Sequence, residues 1–148
     1  MVPDRIEREI VIAAPVGRVW SVVTEAEHVG RWFGDAGAEV ELRPGGVFRC
    51  RWGEHGTVHG VVERVEPPNV FSYRWARPVG AEVHPGNSTL VEFTLTPEGS
   101  ATRVRVVESG FRELSGSDEE RAKYADENTE GWTSELAELA SYVARRAA

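Results

Sequence analysis

The stretch "DENTEGWTSELAELASYVARRAA", residues 126–148, decides how the rest of the chain is read. Leu136, Leu139 and Val143 recur at helical spacing, with Trp132 one turn before them, which predicts an amphipathic helix. Gly131 interrupts that pattern directly beside the indole, although a mid-helix glycine costs roughly 1 kcal/mol relative to alanine. Upstream, Ser117 and Glu120 form an S-x-x-E capping box, so the helix is expected to start there and run about 30 residues, roughly 45 Å. A helix that long needs a large partner surface.

The preceding sequence supplies it. Strand candidates fall at 37–42, 46–53, 56–66, 69–77, 88–97 and 101–109. They are punctuated by "RPGGV", "WGEHG", "EPPN" and "TPEGSAT", which are turn signals. Strands this closely spaced form an antiparallel meander, because parallel pairing needs long crossovers. "RIEREIVI" gives a first strand with Ile6, Ile10 and Ile12 on one face. "APVGRVWSVVT" follows as a short helix with Pro15 at its start. Thr24 and Glu27 form a T-x-x-E pattern that predicts a second short helix running towards Trp32 and Phe33. Only the C-terminal helix can cover one face of such a sheet, and a twisted sheet curling around it leaves a cavity between the two.

Composition narrows the function classes. A chain of 148 residues reads as one domain and can bury about 70% of its unfolded surface. The formal net charge of −7 argues against nucleic acid as a partner. The single Cys50 forms no intramolecular disulfide, which points to a reducing, cytoplasmic setting. "MVPDRIEREI" lacks an apolar core, so no secretory signal is expected, and no run reaches the ~20 apolar residues of a membrane span. "NST" at Asn87 to Thr89 then reads as a turn before a strand rather than a glycosylation site.

Strand alternation assigns faces. Phe48, Cys50 and Trp52 point one way, against Val47, Arg49 and Arg51. Phe71, Tyr73 and Trp75 oppose Ser72 and Arg74, and Val91, Phe93 and Leu95 oppose Glu92 and Thr94. Val104 and Val106 oppose Arg103 and Arg105, which turns Glu108 inward. On 56–66 the pattern is ambiguous: His59, Val61 and Val65 share one face and Val58 and Val62 the other. An aromatic interior with His59 and Glu108 as convergent polar groups is the pattern of a small-molecule site. The plainer alternative leaves Glu108 at a wet strand end and His59 as a satisfied histidine.

Other constellations are weaker. Cys50, Glu54, His55 and His59 lie close in sequence but match no metal-ligand spacing and straddle a turn. Cys50 has no base beside it and reads as a buried thiol. There is no G-x-S-x-G elbow, G-x-G-x-x-G turn or P-loop. "GSDEERAKYADENTE" is acidic, either the solvated outer face of the helix or a docking surface for a basic partner.

Five ordered pieces carry a family resemblance: "IAAPVGRVWSVVTEAEHVGRWF" (12–33), "RPGGVFRCRW" (43–52), "GVVERVEPPNVFSYRW" (60–75), "ATRVRVVESGF" (101–111) and "ENTEGWTSELAELASYV" (127–143). Together they resemble the START-like, helix-grip (SRPBCC) superfamily, in the branch related to the C-terminal domain of the activator of the heat-shock-ninety ATPase. The resemblance implies an α+β helix-grip, birch-pollen-allergen-like fold over residues 1–148 as a single domain. A curved antiparallel sheet of about six to seven strands would wrap a long C-terminal helix, with two short helices after strand 1. Trp132 would then point into the concave space or simply pack in the core. Gly131 would permit close approach of a strand or leave room at a pocket mouth.

Three functions follow from these readings. The first is non-catalytic binding of a small apolar or aromatic molecule, with no cofactor, metal or catalytic set. Its candidate ligand-binding residues are Trp32, Phe48, Trp52, His59 and Tyr73, with Trp75, Phe93, Glu108, Trp132 and Leu136. The second, implied by the resemblance, is a stress-response role as partner of a chaperone ATPase, although the activator's separate N-terminal domain has no counterpart in these 148 residues. The third is a polyketide cyclase or dehydratase, which would need His59 and Glu108, or Tyr73 or Tyr124, to converge on substrate.

Overall fold

The computed structural model describes residues 2–146. Strand β1 (Arg5–Ile12) leads into helices α1 (Val16–Thr24) and α2 (Ala26–Trp32). Strands β2 (Ala38–Val40), β3 (Val47–Trp52), β4 (Gly56–Glu66), β5 (Val70–Ala76), β6 (Ser88–Glu98) and β7 (Ala101–Ser109) follow, and a 3-10 turn precedes helix α3 (Asp118–Arg146). All seven strands form one antiparallel sheet in the order β1-β7-β6-β5-β4-β3-β2. This is the α+β helix-grip architecture: a curved sheet closed over one long helix. Among the described residues no helix is long and apolar enough to cross a membrane.

The capping box at Ser117 forms as expected. Glu120 N donates to Ser117 Oγ at 3.1 Å, and Ser117 N donates to Glu120 Oε1 at 3.0 Å. The T-x-x-E pattern at Thr24 does not. Thr24 is the last residue of α1, and its hydroxyl donates to Trp20 O at 2.7 Å, so α2 starts after Glu25 without a side-chain cap. A buried hydroxyl inside a helix takes the preceding-turn carbonyl before it can cap the next helix. Strand β2 is also shorter than the expected 37–42. Glu41 Oε1 accepts the Val47 amide at 2.9 Å, so a side chain bridges where the ladder ends.

Strand β4 resolves the ambiguous alternation. The register against β5 shifts between Val62 and Arg64, a bulge that inserts one residue. Val62 pairs with Tyr73 and Val65 with Phe71, so both valines face the concave side despite being three apart. Val61 is exposed on the convex side. That convex face is laced with ion pairs, among them Arg103 to Glu9 and Glu98, and Arg105 to Glu7.

The core lies between the concave face and the helices. Val19, Val23 and Val29 from α1 and α2 meet Phe71, Val91, Val104 and Val106 from the sheet, and Trp132, Leu136, Leu139 and Val143 from α3. Helix α3 lies against β1, where Arg8 Nε donates to Thr133 Oγ1 at 3.1 Å. It diverges from the β3–β5 side, and that divergence positions the site.

Candidate functional site

Glu108 organises the interior. It sits near the end of β7, facing inward as the alternation requires, and is fully buried. A buried carboxyl is tolerated only when its lone pairs are occupied. Here Oε2 accepts from Thr89 Oγ1 at 2.5 Å and Trp75 Nε1 at 2.9 Å. Oε1 accepts from Trp132 Nε1 at 2.9 Å, and Asn128 Nδ2 bridges both oxygens at 2.9 and 3.0 Å. Strands β5, β6 and β7 and helix α3 are thus tied to one group. Tyr124 lies beside this cluster, its hydroxyl pushed up to about 12 by burial and by the Glu108 charge.

The two indoles held by Glu108 form an aromatic stack. Phe33 lies 5.4 Å from Trp132 at 8° and 5.6 Å from Trp75 at 22°, and meets Trp52 edge-on at 5.2 Å. Phe33 reaches this position because Gly34 carries no side chain: a Cβ there would lie 2.6 Å from both Arg51 O and Cys50 Sγ. Deeper in, Phe48 and Tyr73 stack at 3.8 Å and 10°, both fully buried. The Tyr73 hydroxyl is buried without a hydrogen-bond partner among the described residues, and burial holds it well above its usual value. Burial likewise pushes the Cys50 thiol up to about 12, which makes it a poor nucleophile.

The aromatic stack does not fill the whole grip. A groove of about 610 Å³ runs between α3 and the β3–β5 side, lined by Trp52 and Trp75 from the sheet, by Phe33 after α2 and by Trp132 from α3. Asn128, Gly131 and Glu135 line it from the helix, with His55, Val79 and Glu127 at the rim. An adjoining recess of about 400 Å³ shares Trp52, Trp75 and Asn128 and extends to Arg77 and Tyr124. The size is that of ordinary small-molecule sites. Glu135 is half-buried, its carboxyl raised to about 7 by desolvation and by Glu138. Its Oε2 is buried and has no hydrogen-bond partner among the described residues.

Gly131 now has a reason. A Cβ added there would meet nothing within 4 Å, so no strand approaches closely and the residue opens the groove instead.

The ten sequence candidates separate into four groups. Trp52, Trp75 and Trp132 line the groove. Glu108 stands behind them as their acceptor. Trp32, Phe48, Tyr73, Phe93 and Leu136 are buried core, with Trp32 Nε1 donating to Val22 O at 2.8 Å. His59 corrects an expectation: it pairs across the sheet with Arg49 on the convex face, where Arg49 Nε donates to its Nδ1 at 3.2 Å. Glu82 lies 3.2 Å from the same nitrogen. The ladder places His59 on the side opposite Phe48 and Cys50, so it cannot meet Glu108. Among the described residues no three metal-ligating side chains cluster.

Sequence reasoning missed Phe33, Asn128 and Glu135 as lining residues. For the helix a signal existed. Asn128 and Glu135 are four before and three after Trp132, so all three share one stripe of α3. Phe33 carried none, because its place depends on how α2 ends against β3.

The fold is shared widely. Protein MLL2253 from Mesorhizobium loti superposes with a TM-score of 0.78 at 22% identity, covering 95% of this chain and 97% of that one. DynU16, a putative protein in the dynemicin biosynthetic locus, gives 0.77 at 26% identity over 95% of this chain, which spans only 47% of DynU16. The Aha1 dimer from Colwellia psychrerythraea gives 0.74 at 17% identity, covering 94% and 95%. No curated protein matches the chain. The family model described as Activator of Hsp90 ATPase homolog 1-like protein matches residues 13–144, nearly the full length, and the chain belongs to that family.

Proposed function

We propose that residues 1–148 act as one helix-grip domain that binds a small hydrophobic or aromatic molecule in the groove between α3 and the β3–β5 side of the sheet. The observation that carries this reading is Gly131: the helix carries no side chain at a position that borders the groove, beside the indoles of Trp52, Trp75 and Trp132. Glu108 supports it by holding two of those indoles in fixed orientation, which lowers the ordering cost of binding. Binding here is non-catalytic. His55, Glu127 and Glu135 are the ionisable side chains of the groove, and no hydrogen bond joins them among the described residues.

The test is a thermal-shift screen against flavonoids, fatty acids and aromatic polyketides, with Gly131→Leu as control. A saturable rise in melting temperature that the variant loses, while itself melting no lower than wild type, supports the groove. A rise that Gly131→Leu retains unchanged would place binding elsewhere.

The family description favours a second reading, a protein partner of a chaperone ATPase. It expects stimulated ATP turnover when the protein is added to such an ATPase, unaffected by Gly131→Leu.

A further inference from the structure

The groove has a chemical polarity that its aromatic floor alone does not require. Two carboxylates line it, Glu135 half-buried on the helix side and Glu127 exposed at the rim, and no Lys or Arg does so among the described residues. Arg77 lines the outer recess rather than this groove, its guanidinium 3.9 Å over the Tyr124 ring. Glu135 differs from the other carboxyls of the chain. Glu7, Glu39 and Glu66 are paired with arginines, and Glu108 is buried with four donor groups around it. Glu135 is drawn out of water with one oxygen buried and unpartnered. A buried acceptor without a donor is costly, so this carboxyl favours a ligand group that donates. The four rings beside it add a second preference, since aromatic faces attract cations.

We propose that the ligand of this groove is a small aromatic cation, its protonated or quaternary nitrogen held at the Glu135 end and its ring against Trp52, Trp75 and Trp132. This rests on the ligand-binding reading above and adds the charge. The ring stacks on the half-buried indoles of Trp52 and Trp75. The cationic group pairs with the half-buried Glu135 carboxylate, while the outer recess leaves room for the rest of the molecule. An anion at that end would meet the Glu135 carboxylate and, among the described residues, no Lys or Arg lining the groove.

Three acridines of nearly one shape separate the outcomes: 9-aminoacridine as the cation, acridine as the neutral form and acridine-9-carboxylate as the anion. Their binding to the full chain is followed at pH 8 and physiological salt by quenching of tryptophan fluorescence. The cation is expected to bind at least about tenfold tighter than acridine, with the carboxylate weakest. Glu135→Gln should bring the cation within about threefold of acridine and leave acridine itself unchanged. Equal or tighter binding of acridine, a preference for the carboxylate, or a cation preference that survives Glu135→Gln would overturn the charge assignment while leaving the groove as a ligand site. If none of the acridines binds and the thermal-shift panel is also silent, the ligand reading fails and the charge assignment with it.

Discussion

Trp132 on α3 donates its indole N–H to Glu108 on β7 at 2.9 Å, with both side chains buried. With the Asn128 amide, that bond joins the long helix to β7, and the same carboxyl takes Trp75 from β5. The orientation of the groove's floor therefore depends on a group that does not line the groove itself.

Glu108→Gln should destabilise the protein by roughly 2–4 kcal/mol, because an amide NH2 would face indole and amide donors that then lack an acceptor. Trp132→Phe keeps the stack with Phe33 and should cost less, about 1–3 kcal/mol. Urea denaturation of both single variants and the double variant checks this: the costs should fall well short of additive. Additive losses would mean that the bond contributes little.

Gly131→Ala should stabilise by roughly 0.5–1 kcal/mol, since the added methyl meets open space and removes helix-interior backbone freedom. Gly131→Leu should hold that stability while abolishing ligand-induced shifts. A destabilised Gly131→Ala protein would show that the helix needs the glycine for packing after all.

Glu135 gives a pH signature. Its folded pKa, about 7, is raised above the ordinary 4.5 by desolvation and then by Glu138. A raised carboxyl contributes stability that is present below about 4.5 and is lost as pH rises through about 7. Nearby Cys50 and Tyr73 are themselves raised and stay neutral across that window. Allowing for partial exposure, Glu135→Gln should be more stable than wild type at pH 8 by on the order of 1–2 kcal/mol, and equal to it near pH 4.5. Parallel melting curves at all pH values would remove the argument.

His59→Ala should change stability by less than about 1 kcal/mol and leave ligand shifts intact, because His59 sits in a convex-face cluster with Arg49 and Glu82. Loss of binding in this variant would return His59 to the site.

Ser117→Ala removes the hydroxyl that caps α3 and should cost about 1 kcal/mol, read as a lower thermal midpoint. Thr24 offers the contrast, since its T-x-x-E pattern never forms a cap.

Local rules were enough for most of the fold. The alternation of Phe48, Cys50 and Trp52 against Arg49 and Arg51, the turn signals between strands, and the Ser117 capping box act over two to four residues, and each is written in adjacent sequence. The inward turn of Glu108 followed from the same period of two. What tertiary structure alone decided is where that period breaks and what meets across it. The bulge after Val62 moved Val65 off the face of His59 and onto that of Val62, because register past that point is settled by pairing with β5 rather than by β4 itself. The donors around Glu108 come from residues 75, 89, 128 and 132, and no sequence spacing encodes their convergence. The groove exists because α3 lies against β1 and diverges from β3–β5, a balance of packing summed over the whole interface.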